Sequence, residues 1–133
     1  MSNGFVVVTG AGGFIDIAHN ARDLVFAGTF TTAGLKTELT ASSIKILKEG
    51  SARKFVVAVE QITYPALRGV RERGQTTSVI TERAVFRLVP DGLELTEIAA
   101  GLDVRRDVLD QMAFRPVRIA DPLPAMAADL FAP

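Results

Sequence analysis

The sequence has no cysteine, and only one histidine and one tyrosine, in 133 residues. Without cysteine there is no disulfide framework, thiolate nucleophile or zinc knuckle, and a reducing compartment is the simple expectation. With His19 as the sole histidine a multi-histidine metal site is excluded, no metal is expected, and a histidine-based triad could use that residue alone. Neither sign of charge is in excess, 15 basic residues standing against 15 acidic. Nucleic acid and an anionic membrane surface are therefore not expected as partners. No stretch approaches the ~18 apolar residues of a membrane span. The N-terminus shows no basic region or small-residue cleavage pattern of a signal peptide, so the expected location is cytoplasmic.

What is present argues for one folded domain over 1–133. Hydrophobic residues make up 48% and charged residues 23%, a balance that excludes disorder. The mean hydropathy of +0.27 is high for so short a chain, because small domains have little interior in which to hide apolar matter. The expectation is that the protomer buries a face in a homo-oligomer or that the chain is part of a larger protein.

One stretch organises the rest: Val6-Val7-Val8-Thr9-Gly10-Ala11-Gly12-Gly13-Phe14-Ile15-Asp16-Ile17. A short β-branched run ends in glycines and is followed by a second apolar segment, the pattern of a buried strand feeding a tight turn. Glycine permits φ > 0 and close approach of a ligand, so the exposed N–H groups of Gly10, Gly12 and Gly13 can hold an anion or a developing oxyanion. The same glycines would also serve a purely structural turn, and the residues leave both roles open.

Further along, Ile15 to Ala21 gives about two helical turns before a strand at Leu24–Phe30. Leu35–Leu39 and Ile44–Leu47 form a hairpin around Thr40–Ser43. Phe55–Tyr64 is β-branched and aromatic and predicts a strand ended by Pro65. Arg68–Gly74 predicts a charged, glycine-bounded loop. Ala84–Val89 and Leu93–Ile98 flank Pro90-Asp91-Gly92, and strict alternation predicts a hairpin with Leu93 and Leu95 facing inward. Asp103 predicts a helix cap, with Val104, Val108, Leu109 and Met112 at helical spacing behind it. Phe114–Ile119 is extended, and the tail holds a short helical turn near Met126 to Leu130. Glu60 and Glu82, inside β-rich segments, are expected to be hydrogen-bonded for structure. Asp16 is expected as a cap or turn residue, and His19 at the surface.

Val-Thr-Gly-x-x-Gly-Phe-Ile is similar to the opening of NAD(P)-binding short-chain dehydrogenases and nucleotide-sugar epimerases. That motif wants a third glycine where Asp16 stands, and a carboxylate there would repel a pyrophosphate. No acidic residue closes the following strand, where Phe30-Thr31-Thr32 stands, and Tyr64 has Arg68 rather than lysine four residues on. A lone glycine motif of this kind specifies dinucleotide binding only weakly.

A second resemblance covers nearly the whole chain. Gly10-Ala11-Gly12-Gly13-Phe14-Ile15-Asp16-Ile17-Ala18, Val25–Thr31, Gly34-Leu35-Lys36, Val59–Thr63, Arg71–Gln75, Val79–Leu88, Gly92–Ala99 and Phe114-Arg115-Pro116 together resemble the C-terminal part of the acetate/propionate (3-oxoacid, family I) CoA-transferases. The resemblance implies an α/β fold, an open mixed sheet like the C-terminal portion of a NagB/RpiA-like CoA-transferase domain, with β-hairpins and few helices. It implies transfer of CoA from a short-chain acyl-CoA to a carboxylate acceptor through a glutamyl-CoA thioester, with coenzyme A as substrate rather than a bound cofactor. It places Gly10, Gly12 and Gly13 at the thioester oxyanion and Lys36 near CoA. Lys36 also lies in an alternating strand, so a solvated lysine is an equal reading. The nucleophilic glutamate of such enzymes lies in a glycine-flanked segment upstream of the glycine turn. None of Glu38, Glu49, Glu60, Glu72, Glu82, Glu94 and Glu97 has that context. The expectation is a C-terminal segment that carries no catalytic residue, is inactive alone and is completed by the N-terminal part of the enzyme. The alternative is a non-catalytic binding or structural module of the same descent.

Overall fold

The computed structural model describes residues 1–2, 12–59, 62 and 64–132. The expected strand at Val6–Val8, Gly10, Glu60 and the first residues of the glycine turn lie outside them. Helix α1 (Phe14–Asn20) is followed by strand β1 (Asp23–Ala27). The short strands β2 (Thr31–Thr32) and β5 (Ala52–Arg53) pair antiparallel, and between them lies the hairpin of β3 (Lys36–Leu39) and β4 (Ile44–Lys48). Helix α2 (Ala66–Arg73) leads into β6 (Thr76–Ile80), β7 (Ala84–Val89) and β8 (Gly92–Ile98), and β9 (Arg118–Ile119) completes the main sheet. Its order is β1-β6-β7-β8-β9. β1 runs parallel to β6 and β9 parallel to β8, while β6, β7 and β8 are antiparallel neighbours. This is an open mixed sheet with few helices, the α/β arrangement expected.

The β7–β8 hairpin follows its alternation: Ala84, Phe86 and Leu88 on one strand, and Leu93 and Leu95 on the other, are all buried. Their face carries an aromatic stack in which Phe30 lies 4.8 Å from Phe55 and 6.1 Å from Phe86. Asp103 caps as expected, its carboxylate accepting from the Arg106 N–H at 2.7 Å. The helix behind it is a π turn (Val104–Val108) closed by a 3₁₀ turn (Leu109–Gln111) rather than a regular α-helix.

Two expectations fail. Residues 54–59 form no strand, because Phe55 leaves the ladder to fill the aromatic stack and its carbonyl accepts from the Ala113 N–H at 2.9 Å. The expected loop at Arg68–Gly74 is instead α2. Its basic residues Arg71 and Arg73 occupy the last turn, where they suit the negative end of the helix. Arg68 pairs with Glu72 one turn on, and Gly74 closes the helix at φ 62°, the left-handed conformation that glycine adopts without strain.

Candidate functional site

The carboxyl ends of the parallel strands β1 and β6 lie side by side, with Ala27 opposite Ile80. The Gly28 N–H extends that ladder to the Ile80 carbonyl at 3.1 Å. Beyond them opens a cleft of about 630 Å³, lined among others by Phe26, Gly28, Thr29, Lys54, Phe55 and Thr81. The carboxyl ends of parallel strands are where open α/β sheets receive ligands, because the chain diverges there. Among its described lining residues the charged side chains are Arg53 and Lys54, with no carboxylate. Lys54 Nζ donates to Thr29 Oγ1 at 2.9 Å, so its cation is held at the mouth of the strand pair.

The glycine turn reaches the same end of the sheet. Only residues 21–22 join α1 to β1, so the helix runs back along the strand and its first residue meets the strand's far end. The rings of Phe14 and Phe26 are accordingly 5.9 Å apart. Gly12 has φ 49°, a conformation that favours glycine. A Cβ built on Gly13 would have nothing within 4 Å, so the turn faces open space.

The other end of α1 is fixed by a buried polar cluster. Gln75 Nε2 donates to the carbonyls of Ala18 at 2.6 Å and Ala21 at 2.7 Å. The Tyr64 hydroxyl donates to Gln75 Oε1 and accepts from Arg73 Nη2 at 2.7 Å. These bonds satisfy carbonyls that a helix C-terminus leaves orphaned, and they set the helix on which the turn is mounted.

A second buried cluster holds the loops beside the cleft. Arg83, fully buried, grips both oxygens of Glu49, with Nη1 to Oε2 at 2.7 Å and Nη2 to Oε1 at 2.9 Å. Its Nε donates to Glu82 at 2.7 Å, Nη1 also reaches the Asp107 carbonyl at 3.0 Å, and the guanidinium lies 4.9 Å over the Phe30 ring. Glu82 accepts the Phe30 N–H at 2.7 Å, and Glu49 accepts from the Thr31 hydroxyl. Burial works against the charged form of Glu49, but the hydrogen bonds from Arg83 and Thr31 outweigh it, and its pKa falls below the ordinary carboxylate value. The same contest leaves the Arg83 guanidinium more firmly protonated than in water. Both glutamates are thereby committed as acceptors, the structural role expected for Glu82.

Lys36 is placed apart. It is an exposed residue of the β3–β4 hairpin, opposite Lys48, and does not line the cleft. His19 is exposed, as expected. Lys54 carried no signal in the sequence, since it precedes an apolar run that reads as strand. Arg83 could have been suspected only as a charge set between two strands.

The chain is 44% identical over 124 residues to the acetate CoA-transferase YdiF of Escherichia coli K12, and 40% identical over 124 residues to the caffeate CoA-transferase of Acetobacterium woodii. The crystal structure of the acyl-CoA transferase YdiF of E. coli O157:H7, in a thioester complex with CoA, superimposes on 98% of the chain with a TM-score of 0.90 at 40% identity. The chain matches a C-terminal part of a CoA-transferase. The sequence matches take in 93% of the chain but only 23% of the length of those relatives, and the structural match spans 28% of the crystallised chain. No family model matches this chain. Among the described residues of the segment no helix is long and apolar enough to cross a membrane.

Proposed function

We propose that the chain forms the oxyanion and CoA-binding side of an acyl-CoA:carboxylate CoA-transferase, and that the nucleophilic glutamate comes from another part of the enzyme. The observation that carries this reading is the joint match in sequence and backbone to CoA-transferases, one of them captured as a thioester with CoA. In the reaction a glutamate carboxylate attacks the carbonyl carbon of a short-chain acyl-CoA. The C–S bond breaks, the CoA thiolate attacks the resulting acyl-glutamyl anhydride at the glutamyl carbonyl, and the acyl group leaves as a carboxylate. The glutamyl-CoA thioester then passes CoA to the acceptor carboxylate by the reverse steps. Each tetrahedral intermediate carries an oxyanion, and preorganised N–H donors are the economical way to stabilise it.

The Gly12–Gly13 turn supplies such donors beside the cleft, with Gly10 preceding it. Arg53 and Lys54 give the cleft a positive character that suits both anionic substrates. Lys36, on the exposed hairpin, contributes to CoA binding from outside the cleft. Four of the described glutamates are engaged in ion pairs. Glu49 and Glu82 are held by Arg83, Glu72 pairs with Arg68, and Glu94 faces Arg118. Exposed Ile17 and Val57, at 69% and 73%, support burial of this segment against the rest of the enzyme or within a homo-oligomer, in a cytoplasmic enzyme of short-chain fatty acid metabolism.

The test is an acyl-exchange assay on the whole enzyme that carries this segment, with acetyl-CoA as donor and propionate as acceptor. Gly13→Pro deletes one N–H at a φ of −81°, which the proline ring tolerates. The expected result is a kcat lowered ~10²–10³-fold with folding intact, while Gly13→Ala, which keeps the N–H, stays near wild type. Thioester consumption without dependence on the acceptor would overturn the transferase reading. An unaffected Gly13→Pro variant would overturn the role of the turn.

A further inference from the structure

The two edges of the main sheet differ in kind. At one edge β9 has two residues, one of them Arg118, with Pro116 before it and Pro122 after it. A short strand with a charge and nearby prolines is a guarded edge, which resists pairing with another strand. At the other edge β1 runs five residues in unbroken register with β6. It has no proline, lysine or bulge. Its one charge, Asp23, stands at its start and accepts from the Thr76 hydroxyl.

The hydrogen bonds fix which groups that edge presents. The Arg22 carbonyl accepts from the Thr76 N–H at 2.9 Å, and the Gly28 N–H donates to the Ile80 carbonyl at 3.1 Å, so Arg22 and Gly28 both face β6. Successive residues of a strand turn their backbone groups to alternate sides. Leu24 and Phe26 therefore also face β6, while Asp23, Val25 and Ala27 turn their N–H and C=O groups away from it. Among the described residues no strand lies on that side. The side chains along this edge are apolar on both faces. Leu24 and Phe26 pack against the core. On the other face Val25 is 62% exposed, and Ile80, the partner of Ala27, is 39% exposed. Parallel strands are ordinarily covered, so this edge is an open one.

We propose that the free edge of β1 is completed by a strand from the part of a CoA-transferase that lies outside this segment. The occupant follows from size. The segment superimposes over 98% of its length on a crystallised CoA-transferase but spans 28% of it, so most of such an enzyme lies outside and is available to supply the strand. Main-chain bonds with Val25 and Ala27 hold it, and the apolar neighbours select a run that is apolar on both faces rather than an alternating one. Phe26, Ala27 and Gly28 line the cleft, so the added strand also borders it. The inference rests on reading the chain as a CoA-transferase segment, but not on its chemistry. Failure of the acyl-exchange assay leaves it standing.

The test is residue-resolved hydrogen exchange on the whole enzyme that carries this segment. The Val25 and Ala27 amides should exchange at least ~100-fold more slowly than unprotected amides, as slowly as those of Leu24 and Phe26. Exchange of Val25 and Ala27 at the unprotected rate, with Leu24 and Phe26 protected, overturns the proposal. A photo-crosslinking amino acid in place of Val25 then identifies the occupant in the same enzyme. Capture of a peptide from outside residues 1–133 is expected. Capture confined to residues 1–133, whether of the same chain or of a second copy, overturns the proposal even where the amides are protected.

Discussion

Replacing Arg83 by methionine should be among the most damaging single changes in the chain. The side chain is fully buried, and its guanidinium makes two bonds to Glu49, one to Glu82 and one to the Asp107 carbonyl, over the Phe30 ring. Methionine of similar length fills the space but leaves two carboxylates without their cation. Removing one partner of a buried ion pair typically costs about 3–5 kcal/mol, because the charge left behind is uncompensated. Glu49 and Glu82 keep 27% and 17% of their side-chain surface exposed, so water relieves part of the penalty and the lower figure applies. A loss of about 3 kcal/mol, with a urea m-value of ~2 kcal/mol per M, moves the unfolding midpoint down by about 1.5 M. The triple variant Arg83→Met, Glu49→Gln, Glu82→Gln should recover much of that loss, since no charge is then stranded. Arg83→Lys should fall between, because a single ammonium cannot reproduce the fork. A midpoint for Arg83→Met within the error of wild type would refute the claim that this cluster holds the loops around the cleft.

Three further changes test other contacts. Glu49 has a lowered pKa when folded, so its contribution is complete above the unfolded carboxylate pKa and is lost as pH falls through the lower folded value. Urea titrations between pH 7 and pH 3 should show a loss of stability on acidification that is smaller in Glu49→Gln. Gly69→Ala would set a Cβ 2.3 Å from Gln75 Oε1 and 2.8 Å from the Tyr64 hydroxyl, and should cost about 1–3 kcal/mol in thermal or urea unfolding as the polar cluster shifts. Thr77→Val exchanges a buried hydroxyl that has no partner among the described residues for a methyl, and should be neutral or stabilising by up to about 1–2 kcal/mol by the same measurement.

The parts of this fold that could be read from sequence are those that local pattern decides. Alternation around Pro90-Asp91-Gly92 specifies the β7–β8 hairpin and its inward Leu93 and Leu95. The capping carboxylate of Asp103 marks the start of its helical turn, and the short apolar segment after the glycines forms α1. Helix α2 was hidden because its charges resemble those of a solvated loop, and its left-handed Gly74 resembles a turn glycine. Residues 55–59 have strand composition, but Phe55 gains more from the stack with Phe30 and Phe86 than a ladder would give. The candidate site divides the same way. Glycine marked the turn, yet Lys54 enters the cleft through a tertiary contact with Thr29, 25 positions away. Arg83 binds Glu49 from 34 positions away. Pairings at such distances leave no periodic trace.

The most direct test of the central claim is to trap the covalent intermediate on the whole enzyme that carries this segment. The enzyme is incubated with acetyl-CoA, reduced with borohydride, digested, and mapped by mass spectrometry. The account predicts a CoA adduct on intact enzyme and a reduced glutamate in a peptide outside residues 1–133. A reduced glutamate at Glu38, Glu49, Glu60, Glu72, Glu82, Glu94 or Glu97, or no CoA adduct at all, would contradict it.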